Sequence, residues 1–99
     1  MRIYISGKIT GLDNYRENFD RIERILKSYG HEVVNPCRVK DIYDFFTWDD
    51  FMDVDMCMIR RCDAVYFMEN WKSSRGATME HEYAKQLKKE TIYEGTLHE

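Results

Sequence analysis

The sequence is short of the features that mark several broad classes of protein. No apolar run approaches the roughly 20 residues that a membrane span needs, and the first residues read as a strand rather than a signal peptide. Basic charge is not concentrated anywhere. The 15 Lys and Arg are scattered among 18 Asp and Glu, for a formal net charge of −3, so the footprint of a nucleic-acid binder is missing. The three cysteines, Cys37, Cys57 and Cys62, form neither a disulfide nor a zinc framework. They read as reduced thiols, with the cytoplasm as the expected location. The chain has 99 residues, room for a single domain over 1–99. A chain this short buries only roughly 60–65% of its unfolded surface. With 14% aromatic residues, some rings are expected to cover a ligand pocket or a homodimer (or higher homo-oligomer) interface.

What is present alternates between two periodicities. Arg2 to Ser6 is a short apolar run that reads as a buried strand, followed by the loop Gly7-Lys8-Ile9-Thr10-Gly11. Tyr15, Phe19, Ile22, Ile25, Leu26 and Tyr29 fall at helical spacing. Asn14, with Glu17 three residues on, is the predicted cap, and Gly30 the left-handed stop. His31 to Asn35 is a second strand ended by the single proline, Pro36. Residues 37–46 carry no clear period, with a turn of helix suggested around Asp41–Phe45. Thr47 and Asp50 cap the next helix, which places Trp48, Phe51, Val54 and Met58 on one side. Asp63 to Phe67 is a third strand, Ser73-Ser74 cap a helix running to about Lys89, and Glu90 to Tyr93 is a fourth strand. This βαβαβαβ order predicts a three-layer, flavodoxin- or Rossmann-like α/β fold, with a parallel sheet of about four strands between helices. Ligands in such sheets sit beyond the carboxyl ends of the strands where strand order reverses, here after Ser6 and after Phe67.

Three features converge there. The loop Ser6 to Gly11 has two glycines that let backbone amides approach a ligand, although its spacing is not that of a P-loop. Ser74, Arg75 and Gly76 open a helix whose free amides suit an anion. Glu80, about one turn in, shares the stripe of Gly76, Ala84, Tyr83 and Leu87, which places a carboxylate toward the core. In the helix carrying Asp49, Asp50, Asp53 and Asp55, the first two read as capping residues and Asp53 as solvated surface, whereas Asp55 falls beside Phe51, Met58 and Ile59. Without a His or Glu at coordinating spacing, Asp53 and Asp55 do not make a metal site, and no cofactor is expected. His31, His81 and His98 have no Ser or Cys partner by spacing, which argues against a hydrolase triad. Tyr4 is placed either as a core residue or as a hydrogen-bond donor to a carboxylate.

Ile3-Tyr4-Ile5-Ser6-Gly7, Asp55 eight residues before Asp63 in Cys62-Asp63-Ala64-Val65, and Ser74-Arg75-Gly76-Ala77-Thr78-Met79-Glu80 with Tyr83-Ala84 together resemble the nucleoside 2-deoxyribosyltransferase superfamily, most of all its short uncharacterised members. The resemblance covers roughly residues 1–93 and implies a small-molecule substrate, a nucleoside or nucleotide. Glu80 matches the nucleophile that attacks the anomeric carbon. Asp55 matches the carboxylate that assists proton transfer to the departing base, and Tyr4 the tyrosine that orients the nucleophile. Ser74 and Gly76 match positions that hold a 5′-phosphate, and Lys8, Ile9 and Thr10 match the first loop of that pocket. The implied chemistry needs Glu80 ionised and Asp55 at least partly protonated. Two departures stand out: better-known members run longer and complete the site from a neighbouring subunit, and Glu82 replaces a small or apolar residue. Phe45, Phe46 and Trp48, or else Trp71, are the candidates to stack on a base. The expected function is cleavage or transfer at the N-glycosidic bond of a 2′-deoxynucleoside or its 5′-monophosphate. The alternatives are a non-catalytic nucleotide-binding or sensing domain, and an interaction protein that docks a partner on the Phe45–Phe51 face.

Overall fold

Alternation along the first strand decides the layering. In a computed structural model, which describes residues 1–95, β1 (Arg2–Ser6) directs Ile3 and Ile5 to one face and Tyr4 and Ser6 to the other. Ile3 and Ile5 pack with Phe19, Ile22 and Leu26 of α1 (Tyr15–Ser28) and with Ala64 and Tyr66 of β3 (Ala64–Phe67). On the opposite face Tyr4, Val65 and Phe67 meet Ile59 of α3 (Trp48–Arg60) and Ala84 of α4 (Arg75–Gln86). Every residue of β3 is buried, as suits a strand covered by helices on both sides.

The sheet has four parallel strands in the order β2-β1-β3-β4, with β2 at Glu32–Val34 and β4 at Glu90–Tyr93. The chain leaves β1 for β2 on one side and returns to β3 on the other. The gap beyond Ser6 and Phe67 is therefore the switch point that this topology leaves open for a ligand. Asp63, in the stretch before β3, accepts the Arg2 N–H at 2.8 Å and ties the N-terminal ends of β1 and β3 together, away from the switch point.

Local signals explain most boundaries. Gly30 ends α1 with φ +89°, a conformation few other residues adopt cheaply. Thr47 and Asp50 close a reciprocal capping box on α3, with bonds of 3.2 and 2.9 Å. The Ser74 hydroxyl accepts the Ala77 N–H at 3.1 Å and starts α4, whereas Ser73 belongs to a 3-10 turn (Trp71–Ser73) and bonds the Asn70 carbonyl.

Some expectations are corrected. Asn14 makes no side-chain cap: at φ −102°, ψ 21° it is turn-like, and its side chain is not presented to the first amides as an extended cap residue's would be. The helix in 37–46 lies at Cys37–Ile42 (α2), earlier than Asp41–Phe45. Asn35 starts it by accepting the Cys37 N–H at 3.0 Å. Arg38 then reaches the buried Glu23 of α1 at 3.1 Å. On α3 it is Met52 and Ile59 that are buried, while Trp48 and Phe51 turn to a cavity. The spacing of Cys57 and Cys62 suggests that both lie on this helix, but Cys62 falls past the end of α3. No helix among the described residues is long and apolar enough to cross a membrane, and His98 lies outside the described residues.

Candidate active site

At the switch point the end of β1 and the second turn of α4 are joined through one carboxyl group. Glu80, 5% exposed, receives the Ser6 hydroxyl at 2.7 Å on Oε1 and the Tyr4 hydroxyl at 3.2 Å on Oε2. Both donors come from the β1 face that looks toward α3 and α4. Asp55, half-buried on α3, is in side-chain hydrogen-bonding contact with both Glu80 and Tyr4. Two acids and a tyrosine hydroxyl thus meet across 76 positions of sequence.

Two carboxyls this close do not both ionise. Burial first, and then the charge of Asp55, hold Glu80 well above the usual carboxylate range. Burial also pushes Asp55 up, to about 6, against the opposing pull of its bonds with Glu80 and Tyr4 and the nearby charge of Lys40. Burial, followed by the charges of Glu80 and Asp55, likewise keeps the Tyr4 hydroxyl protonated. The pair therefore carries one shared proton across the neutral range. Burial favours the neutral form of Glu80, the deeper of the two, while the Ser6 and Tyr4 hydroxyls that donate to it favour its ionised form.

Above the pair opens a cavity of about 580 Å³, within the range of small-molecule sites. Lys8, Ile9 and Thr10 line one side with Gly7, while Ser74, Arg75 and Gly76 line another. Gly7 is obligatory for close packing: a Cβ there would sit 2.5 Å from the Met68 sulfur. Lys8 fastens the same loop, its N–H donating to Asn70 Oδ1 at 3.0 Å. At the start of α4 Ser74 consumes the Ala77 amide, so the amides of Arg75 and Gly76 are the ones that helix geometry leaves over.

Not every candidate reaches the cavity. Tyr4 and Ser6 do not line it, and their hydroxyls donate to Glu80 from β1. Gly11, exposed with φ +84°, serves the turn into α1 and does not line the cavity. Of the stacking candidates, Phe46 and Trp48 line it, and the Arg75 guanidinium lies 4.2 Å from the Trp48 ring centroid. Phe45 is 75% exposed, in an edge-on cluster with Tyr43 and Phe46. Trp71 stacks on His81 at 4.1 Å, in a cluster with Phe67 and Tyr93. His81 also contacts the Tyr93 hydroxyl at 2.6 Å, and burial shifts the ring toward its neutral form. Among the described residues no group of three or more His, Cys, Asp and Glu side chains is placed to hold a metal ion.

Pro36, Lys40, Phe51 and Met52 also line the cavity and carried no motif. Pro36 was visible as a strand stop, and Phe51 as part of the Trp48 stripe. Lys40 had no signal, because α2 is too short to show a period.

The sequence profile of the family described as Domain of unknown function (DUF4406) matches residues 1–93. No match is found among curated proteins. Among solved structures, a 2-desoxiribosyltransferase from Leishmania mexicana superposes with a TM-score of 0.73 at 22% identity, over 93% of this chain. The chain spans 62% of that protein's length, and the likeness establishes the shared fold.

Proposed function

The chain belongs to the DUF4406 family, and we propose that it cleaves or transfers at the N-glycosidic bond of a 2′-deoxynucleoside or its 5′-monophosphate, with Glu80 as nucleophile. The observation that carries this reading is the contact of Glu80 with Ser6, Tyr4 and Asp55 at the floor of the cavity. Two carboxyls with one proton are what breaking such a bond requires.

The chemistry balances within the pair. As the substrate's anomeric carbon approaches, the shared proton passes from Glu80 to Asp55. The freed Glu80 carboxylate then forms a bond to that carbon, the carbon–nitrogen bond breaks with its electron pair going to the base, and Asp55 delivers the proton to the base. A second base or a water molecule then attacks the same carbon, releases Glu80 and returns a proton to the pair. The Ser6 and Tyr4 hydroxyls fix the Glu80 carboxyl in plane and spread its charge. Phe46 and Trp48 are the wall for the base, and a 5′-phosphate would lie near Ser74, Arg75 and Gly76. Lys8, Ile9 and Thr10 close the other side.

A homodimer is part of the same proposal. Ile42, Tyr43 and Phe45 expose apolar surface that a second copy would cover.

The test is chromatographic: each 2′-deoxynucleoside and 5′-monophosphate is incubated with the protein, with and without a second free base, beside Glu80→Ala. Base release or exchange that is lost in the variant is the expected result. Tight binding without turnover would support the alternative, a nucleotide-binding or sensing domain.

A further inference from the structure

The mechanism leaves one buried acid unused. Glu23, 7% exposed, lies on α1, the helix that covers the sheet face opposite α3 and α4. A carboxyl is costly to bury unless its oxygens find donors, and Glu23 finds three. Lys27 donates to Oε2 at 2.7 Å, Asn35 Nδ2 to Oε1 at 3.0 Å, and Arg38 to Oε1 and Oε2 at 3.1 and 3.2 Å. Lys27 belongs to the same helix. Asn35 and Arg38 come from the junction where β2 gives way to α2. Asn35, itself buried, also donates to Asp20 Oδ1 at 3.1 Å, while its own Oδ1 accepts the Cys37 N–H at 3.0 Å.

That junction is a wall of the cavity. Pro36 and Lys40 both line it, and the Lys40 Nζ lies 4.8 Å from the centroid of the Phe51 ring. The sheet does little to hold this wall, because β2 is an edge strand of three residues. Six residues of helix are too few to stand without tertiary contacts. Those contacts come mainly from α1: Cys37 packs into its core, Glu23 grips the start of α2, and Arg16 pairs with Asp41 towards the end.

We propose that Glu23 is a positioning residue for the cavity: through Asn35 and Arg38 it fixes the segment 36–40 that forms one wall. The consequence for turnover rests on the reading of this cavity as the substrate site; the placement of the wall does not. Asn35 and Arg38 both reach Oε1, so an amide in place of the carboxylate keeps a bond to each. A slack wall loosens the grip on ground state and transition state alike, which raises KM and spares kcat.

The deciding measurement is NMR on the substrate-free protein. The Lys40 ε-methylene protons, next to an ammonium held over the Phe51 ring, report by their ring-current shift where the wall stands. In Glu23→Leu that shift is expected to be lost, with the methyl resonances of Ile59 and Val65 in the opposite core unmoved. Glu23→Gln is expected to keep it. Arg38→Met, which removes an exposed side chain and one arm of the cluster, is expected to lose part of it. A lower global stability alone leaves the shift of the folded state where it is. A full shift in Glu23→Leu, or equal loss in Glu23→Gln, overturns the proposal. So does a full shift in Arg38→Met, whether or not Glu23→Leu folds. Because no substrate is needed, the result stands whether or not the protein releases a base. Where it does, KM is expected to rise about tenfold in Glu23→Leu, with kcat within about twofold and Glu23→Gln near wild type. A loss carried by kcat alone would contradict the role given to Glu23.

Discussion

The Ser6 hydroxyl donates to Glu80 Oε1 across 2.7 Å, so the last residue of β1 holds the one buried carboxyl of α4. The strand end and the helix are separated by 74 positions in sequence and by a single hydrogen bond in space. The backbone of Ser6 also accepts the Met68 N–H at 2.8 Å, which joins the same residue to the end of β3.

Removing the donors separates their effects. Tyr4→Phe and Ser6→Ala each take one hydrogen bond from Glu80 and leave the fold intact, at a cost of about 1–2 kcal/mol. Turnover is expected to fall roughly 10- to 100-fold in each through kcat, with KM little changed. Steady-state kinetics and urea denaturation on the two variants check this; a loss confined to KM would contradict the orienting role.

The acid pair sets a pH dependence of stability. Asp55 titrates near 6 in the folded chain, against about 3.9 unfolded, and Glu80 is raised further by burial. Between the unfolded and folded values the native state binds more protons, so this contribution is fully present below about pH 4 and is lost as pH rises through 6 and beyond. Asp55→Asn removes much of the penalty and is expected to be about 1–3 kcal/mol more stable than wild type at pH 8. Urea midpoints at pH 5 and pH 8 measure it; a variant no more stable at pH 8 would contradict the burial account.

The two glycines of the first loop fail differently. Gly7→Ala drives a Cβ into Met68 and is expected to cost about 1–3 kcal/mol and to abolish any activity by displacing the loop. Gly11→Ala meets no neighbour but has φ +84°, so it costs only about 1 kcal/mol, with activity retained. Thermal melts with an activity assay on each variant distinguish the two.

The aromatic wall is tested by a matched pair. Trp48→Leu removes a ring from the cavity and is expected to raise KM, or the Kd of a bound nucleoside, about tenfold, in line with roughly 1–3 kcal/mol for a stacked base. Trp71→Leu disturbs the stack on His81 and leaves ligand affinity within about twofold. The reverse ranking in a binding titration would relocate the base.

Much of this was legible where the signal is local. The alternation of Ile3, Tyr4, Ile5 and Ser6, the capping box of Thr47 and Asp50 and the stop at Gly30 each work over a few residues, and the structure shows all of them. The parallel order followed from the alternation of strands and helices. α2 was not legible: six residues show no period, and Cys37–Ile42 is held by Asn35 and by Arg38 reaching Glu23, contacts made only in the folded chain. Nothing local says that Trp71 faces His81 while Trp48 faces the cavity, because each sits at a helix start, Trp48 opening α3 and Trp71 in the turn before α4. The depth of Glu80 relative to Asp55 was beyond reach for a related reason, because it depends on how α3 and α4 pack on the sheet.

The central claim is that Glu80 bonds to the sugar, and mass spectrometry of the acid-quenched protein during turnover tests it most directly. The account predicts a mass gain of one deoxyribosyl unit, with its phosphate for a monophosphate substrate, mapped by peptide fragmentation to Glu80 and missing in Glu80→Gln. Base release without any adduct, or undiminished release by Glu80→Gln, would contradict it.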